Sequence, residues 1–122
     1  MIWLAHDYAK ISPRAQSAIE EARQKGRGLA VCGITLVEIA RLASHGRIHL
    51  TPDLEIFLSE VERHFVVLPI TGSIALQASN LPTRYPRDPV DRIIGATALI
   101  EDIPLLTADR DIRNSRAIPT IW

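Results

Sequence analysis

Lysine is almost missing from this chain. Twelve of its fourteen basic residues are Arg, and the two lysines, Lys10 and Lys25, both lie early. A phospho-accepting signalling domain gathers acids and Mg²⁺ at a sheet edge but needs a Lys after a late strand, so that class ranks last. Cysteine is scarcer still. Cys32, inside the apolar run Leu29-Ala30-Val31-Cys32, is the only one. It can form no intrachain disulfide, and a lone buried thiol suits a reducing cytoplasm. No apolar run is long enough for a membrane span. No basic stretch followed by an apolar run opens the chain, so no signal peptide is expected. Fourteen acids balance fourteen bases, which argues against coating nucleic acid by bulk charge. His6, His45, His49 and His64 show no HExxH or paired zinc spacing, and neither a GxGxxG nor a Walker A pattern occurs. Ser73 and Ser115 lack a nucleophile-elbow context.

What is present is a core and a rhythm. With 122 residues, 47% of them hydrophobic, residues 1–122 make one domain that can bury a real core. Ser12-Pro13 reads as a cap and first turn, followed by Ala15, Ala18, Ile19 and Ala22 at helical spacing. Leu29 to Cys32 is a wholly apolar run, as expected of a strand buried on both faces. Thr35 is expected to cap a helix from Leu36 to about Ser44, and Thr51-Pro52 to start the next, carrying Leu54, Phe57, Leu58 and Val61. Phe65 to Leu68 is the second strand. Thr71 opens a helix, and Asp88-Pro89 opens another through Leu99. Leu105 to Ala108 is the third strand, and Ala117 to Trp122 holds a short terminal strand, with Pro119 suggesting a sheet edge. Short apolar strands alternating with helices predict an α/β fold, a three-layer α/β/α sandwich around a mostly parallel sheet.

The acids stand at the joints of this pattern. They are Glu38, the pair Asp88 and Asp91, and Asp109. Helix starts and strand ends share the carboxyl edge of a parallel sheet, where ligands bind in open α/β folds, so all four map to one edge. Thr35-x-x-Glu38 also fits a capping box, Asp88-x-x-Asp91 resembles one, and Asp109 can cap the following helix. Carboxylates gathered in one cleft repel, and some stay protonated unless a cation neutralises them. Mg²⁺ or Mn²⁺ prefers oxygen ligands, activates water and holds a phosphate for in-line attack. Metal-assisted phosphodiester chemistry is therefore the leading reading.

The stretch Val31 to Leu42, the segment Arg87-Asp88-Pro89-Val90-Asp91-Arg92-Ile93-Ile94-Gly95-Ala96, the segment Leu105 to Asp111 and the ending Ile118-Pro119-Thr120-Ile121-Trp122 together resemble the PIN-domain ribonucleases, most closely the VapC-type toxins of toxin–antitoxin pairs. The likeness spans nearly the whole chain. It implies catalytic and metal-holding acids at Glu38, Asp91 and Asp109, with Asp88 as an auxiliary metal ligand and Thr107 as a hydroxyl near the metal. It implies Mg²⁺- or Mn²⁺-dependent endonucleolytic cleavage of structured RNA, a VapB-type antitoxin, a homodimer and a cytoplasmic location. Arg87, Arg92 and Arg110 flank the acids and would meet RNA phosphate or the partner's acids.

The chain departs from this family at its start. Met1-Ile2-Trp3-Leu4 aligns just after the family's first strand and the Asp that ends it. That strand lies mid-sheet, so its neighbours are expected to keep unpaired backbone groups, each costing roughly 1–3 kcal/mol if buried. Three outcomes are expected of such a gap: a start set too far downstream, closure by rearrangement, or a partner strand that fills it. If the chain is truly this short, reduced metal affinity and reduced nuclease activity are expected. The alternative function is a catalytically inactive PIN-like domain that acts by binding an antitoxin or another protein.

Overall fold

The computed structural model of the chain describes residues 11–47 and 53–122. The opening Met1-Ile2-Trp3-Leu4, His6, His49 and the Thr51-Pro52 cap lie outside them. Helix α1 (Pro13–Gln24) begins on Ser12, whose hydroxyl accepts the Ala15 N–H at 3.1 Å. Strand β1 (Leu29–Cys32) runs directly into α2 (Gly33–Ser44). Helix α3 (Leu54–His64) leads into β2 (Phe65–Leu68), and α4 (Gly72–Asn80) follows. Helix α5 (Pro89–Ile100), strand β3 (Leu105–Leu106), helix α6 (Arg110–Ser115) and strand β4 (Thr120–Ile121) complete the order.

Two helix starts differ from expectation. The α3 cap is Asp53, whose carboxylate accepts the Ile56 N–H at 3.2 Å. Helix α2 starts at Gly33 rather than Leu36, and no side chain caps it. A Cβ on Gly33 would stand 3.4 Å from the Leu68 carbonyl, so glycine lets the chain turn into the helix hard against the end of β2. Thr35 is thereby drawn into the first turn and buried.

The strands are parallel throughout, but they form two pairs. β1 pairs with β2, Leu29 opposite Phe65 through Cys32 opposite Leu68. β3 pairs with β4, Leu105 opposite Thr120 and Leu106 opposite Ile121. No strand among the described residues joins β1 to β3. Two helices hold the pairs side by side. On one face, Ile11, Ala15 and Ile19 pack on Leu29 of β1 and on Leu106 and Trp122 of the other pair. On the opposite face α5 spans both. Its Thr97 hydroxyl lies 3.4 Å from Cys32 Sγ, while Ala98 packs on Leu105. Leu29 and Cys32 are an odd number of residues apart, as are Leu105 and Leu106, so the two helices must cover opposite faces. This is the expected three-layer sandwich, with no strand between β1 and β3 among the described residues.

The α5 face that meets the core is made of small residues, Gly95 to Ala98, all buried. Tyr85 fills the space they leave and is itself fully buried. A Cβ on Gly95 would collide with the Tyr85 hydroxyl and ring. That explains a glycine inside a helix, where it costs about 1 kcal/mol relative to Ala.

Candidate active site

The end of β3 and the starts of α5 and α6 meet in one cavity of about 410 Å³. Glu38 from α2, Asp91 from α5 and Asp109 beside α6 line it, together with the hydroxyl residues Thr35 and Thr107. Ile94, Leu105 and Ile112 form its apolar floor. The sheet-edge argument thus brings three of the four acids to one place.

Each acid is held differently. Asp88 stands outside the lining as the exposed cap of α5, its Oδ1 accepting the N–H groups of Val90 at 2.8 Å and Asp91 at 3.4 Å. Asp109 caps α6, its Oδ1 accepting from Asp111 at 2.8 Å and Ile112 at 3.0 Å. Thr107 accepts the Asp109 N–H at 3.1 Å and so fixes the turn that carries this acid. Capping therefore occupies the same oxygen in both residues and leaves the other to the solvent or the cavity. Glu38 is no part of a capping box, because Thr35 is not a cap. Both of its oxygens accept from Arg41 Nη2, each at 3.0 Å.

Asp91 carries the strongest electrostatic signature. Its proton affinity is pushed up to about 6, first by burial, then by the charges of Asp88, Asp109 and Glu38. One carboxylate thus feels all three of the others across the site. Tyr85, below it, is also driven well above its ordinary range, first by burial and then by Asp91 and Asp109. Its hydroxyl donates to the Asp91 carbonyl at 2.6 Å, which anchors the backbone of the key acid to the core.

Oxygen donors that repel one another are the kind a hard cation takes, and Mg²⁺ commonly uses only one or two carboxylates beside waters and phosphate oxygens. Asp91 and Asp109 suit that requirement. Among the described residues, no three His, Cys, Asp or Glu side chains stand close enough to form a metal-holding group. The expected shell of Glu38, Asp88, Asp91 and Asp109 is therefore not assembled as a unit in this structure.

The arginines divide. Arg87 and Arg110 are exposed beside the acids. Arg92 is turned inward, where its guanidinium donates to the carbonyls of Ala78 at 2.9 Å, Leu81 at 2.7 Å and Pro86 at 3.3 Å. Its fork is spent on the α4–α5 connection rather than presented to RNA or a partner. Two contributors escape the pattern of acids. Thr35 Oγ1 is buried with no hydrogen-bond partner, and Tyr85 supports Asp91 from below. Glycine at 33 and at 95 is the sequence signal for both, since each marks a close approach.

The PIN domain profile matches residues 2–117. Ribonuclease VapC22 of Mycobacterium tuberculosis (strain ATCC 25618 / H37Rv) is 37% identical over 122 aligned residues, covering 98% of this chain and 91% of that protein. No solved structure matches significantly.

Proposed function

The chain belongs to the PIN-domain family, in its VapC-type branch, and from that membership we propose that it is the endoribonuclease toxin of a type II toxin–antitoxin pair, working with Mg²⁺ or Mn²⁺. The observation that carries the reading is the cavity in which Glu38, Asp91 and Asp109 converge. A divalent cation, when bound, supplies charge that screens the acids, acidifies a water and draws in a phosphate. Asp91 and Asp109 would hold it, with Glu38 and Asp88 tuning the field from the sides. Burial and the neighbouring acids disfavour the Asp91 charge in the metal-free protein, and a bound cation would restore it. Thr107 keeps Asp109 in place. Arg87 and Arg110 offer guanidinium forks to the RNA backbone. The partners in this reading are structured RNA, a VapB-type antitoxin and a second copy in a homodimer, and the setting is the cytoplasm.

A second reading is favoured by one observation, the absence of a three-carboxylate group among the described residues. It is a PIN-like domain that binds an antitoxin without cleaving RNA. The deciding experiment follows Mn²⁺-dependent cleavage of a labelled structured RNA by the chain and by Asp91→Asn. Cleavage that disappears in the variant supports the nuclease. Cleavage that persists unchanged sinks the assignment of Asp91. No cleavage by either folded protein, with tight antitoxin binding, supports the second reading.

A further inference from the structure

Five arginines gather where α6 meets the loop ahead of α5. Arg110 and Arg113 stand on the solvent side of α6, one turn apart and opposite the buried Ile112 and Ser115. Arg116 caps the end of the helix, and Arg84 and Arg87 stand on the loop; all five are exposed. Arg84 joins the two segments, its Nε donating to the Ser115 carbonyl at 2.6 Å. None of the five takes part in an ion pair among the described residues. The stretches 83–88 and 110–116 carry these five bases against two acids, Asp88 and Asp111, in a chain whose fourteen acids and fourteen bases cancel. We propose that this surface is a track for the RNA backbone, leading from the acid cavity along α6 to Arg84 and Arg116. The inference rests on the ribonuclease reading and extends its substrate contacts beyond Arg87 and Arg110.

Ordinary surface charge explains this arrangement poorly. A helix C-terminus attracts a cation through its unpaired carbonyls, and Arg84 already supplies one. Arg113 in the last turn and Arg116 at the cap add further positive charge at the same place. Like charges held together repel, and a polyanion laid across them relieves that cost. Arg116 also has a left-handed backbone, φ 53°, where a helix usually ends on Gly or Asn. The chain thus keeps a guanidinium at a position that its backbone disfavours. The surroundings select RNA over a protein partner. No large exposed hydrophobic side chain lies in either stretch, so the apolar anchors of a protein interface are missing. The one aromatic ring there, Tyr85, is buried, so bases find nothing to stack on. What remains is guanidinium forks, which match phosphate and fix register without reading sequence. Arg110 directly follows Asp109 and Arg87 directly precedes Asp88, so the track starts at the acids. At about 1.5 Å per residue, α6 carries it roughly 9 Å further.

The test uses the whole chain with Arg113→Gln and Arg116→Asn combined, since Asn is at ease in the left-handed conformation. Binding of a fluorescent RNA hairpin is followed by anisotropy across a salt series in EDTA, where no metal-dependent cleavage occurs. The double variant should bind on the order of tenfold more weakly. Its slope of log affinity against log salt should be shallower by about two, one for each guanidinium removed. The loss should be the same for hairpins with different loop sequences, while urea unfolding stays as in the parent. Arg113→Gln alone, which leaves the helix cap intact, should give about half of the change in slope. Arg63→Gln on α3 should shift RNA affinity by less than about twofold. Unchanged affinity and slope in both variants would overturn the track, as would an absence of RNA binding by the parent chain. A loss confined to one loop sequence would make the surface a reader of bases and also overturn it. So would poly-glutamate binding that falls while RNA binding holds, which would make the surface a site for an acidic protein. RNA binding that follows the arginines, in a chain that cleaves no RNA in Mn²⁺, would support the track and sink the nuclease reading alone.

Discussion

The acid cavity and the α4–α5 corner beneath it are built from opposed terms. In the cavity, Asp91 is half-buried within the fields of Asp109, Glu38 and nearby Asp88, and its charge is disfavoured. In the corner, charge and polarity are fully answered. Arg92 meets three carbonyls, Tyr85 meets the Asp91 carbonyl, and Gly95 lets the ring lie against α5. The contrast teaches how the fold tolerates a destabilising site. The repelling acid is fixed through its own backbone carbonyl to the buried Tyr85.

The sharpest way to break the comparison is Asp91→Asn. Removing the charge should lower cleavage by on the order of 10²-fold or more, the usual scale for a proton-handling or charge-stabilising group. The same change should stabilise the metal-free protein at neutral pH, by on the order of 1 kcal/mol after allowance for solvent screening of a partly exposed group. RNA cleavage and urea unfolding, run on one preparation, check both halves. A variant that loses activity and stability together would show that Asp91 is structural.

Arg92→Ala attacks the other side. It leaves three carbonyls without their donor, and a charged hydrogen bond is worth about 1.5–3 kcal/mol. A loss of about 3 kcal/mol is expected in chemical unfolding. Arg92→Lys should recover little of it, because an ammonium cannot span the fork's partners. RNA affinity, measured on the folded fraction, should stay within about twofold, since the fork points inward and surface-neutral changes sit within about 0.5 kcal/mol. A large, salt-dependent loss of RNA affinity would return Arg92 to the phosphate contacts.

Much of this contrast was legible in the residues. The strands Leu29–Cys32 and Phe65–Leu68 follow from wholly apolar runs, and the caps at Ser12, Thr71, Asp88 and Asp109 follow from side chains that can accept a backbone N–H. The convergence of Glu38, Asp91 and Asp109 follows from parallel-sheet geometry. What was not legible depends on direction rather than residue type. Arg92 reads as a phosphate fork until it is known which oxygens lie before it. Thr35 reads as a cap until Gly33 is seen against Leu68. The third strand stops at Leu106 rather than Ala108, because the Thr107 hydroxyl takes the Asp109 N–H and turns the chain into α6. None of these competing hydrogen bonds is visible in a hydropathy pattern.

Acidity sharpens the comparison with no mutation at all. The Asp91 proton affinity rises from 3.8 to about 6 on folding. Between those values the folded state binds more protons than the unfolded one, so stability must fall as pH rises through that window. The contribution is fully present below the lower value and gone above the upper. Unfolding midpoints of the metal-free protein from pH 4 to 7 should therefore decline by a part that Asp91→Asn lacks. Saturating Mn²⁺ should remove that part, since a bound cation favours the ionised acid.

The smallest effect tests where Glu38 belongs. Its bidentate contact with Arg41 is an i,i+3 pair on α2, with Arg41 largely exposed, and such pairs contribute about 0.5 kcal/mol or less. Arg41→Ala should therefore leave the unfolding midpoint almost unchanged. It should, however, free the Glu38 carboxylate to serve the cavity. If Glu38 supports the cation, the Mn²⁺ concentration for half-maximal cleavage should drop, by roughly two- to fivefold for a pair worth up to about 1 kcal/mol. If Arg41 instead aims Glu38 at the site, the requirement should rise by a similar factor. No change in either direction would place Glu38 with the surface of α2, and the cavity would then work through Asp91 and Asp109 alone.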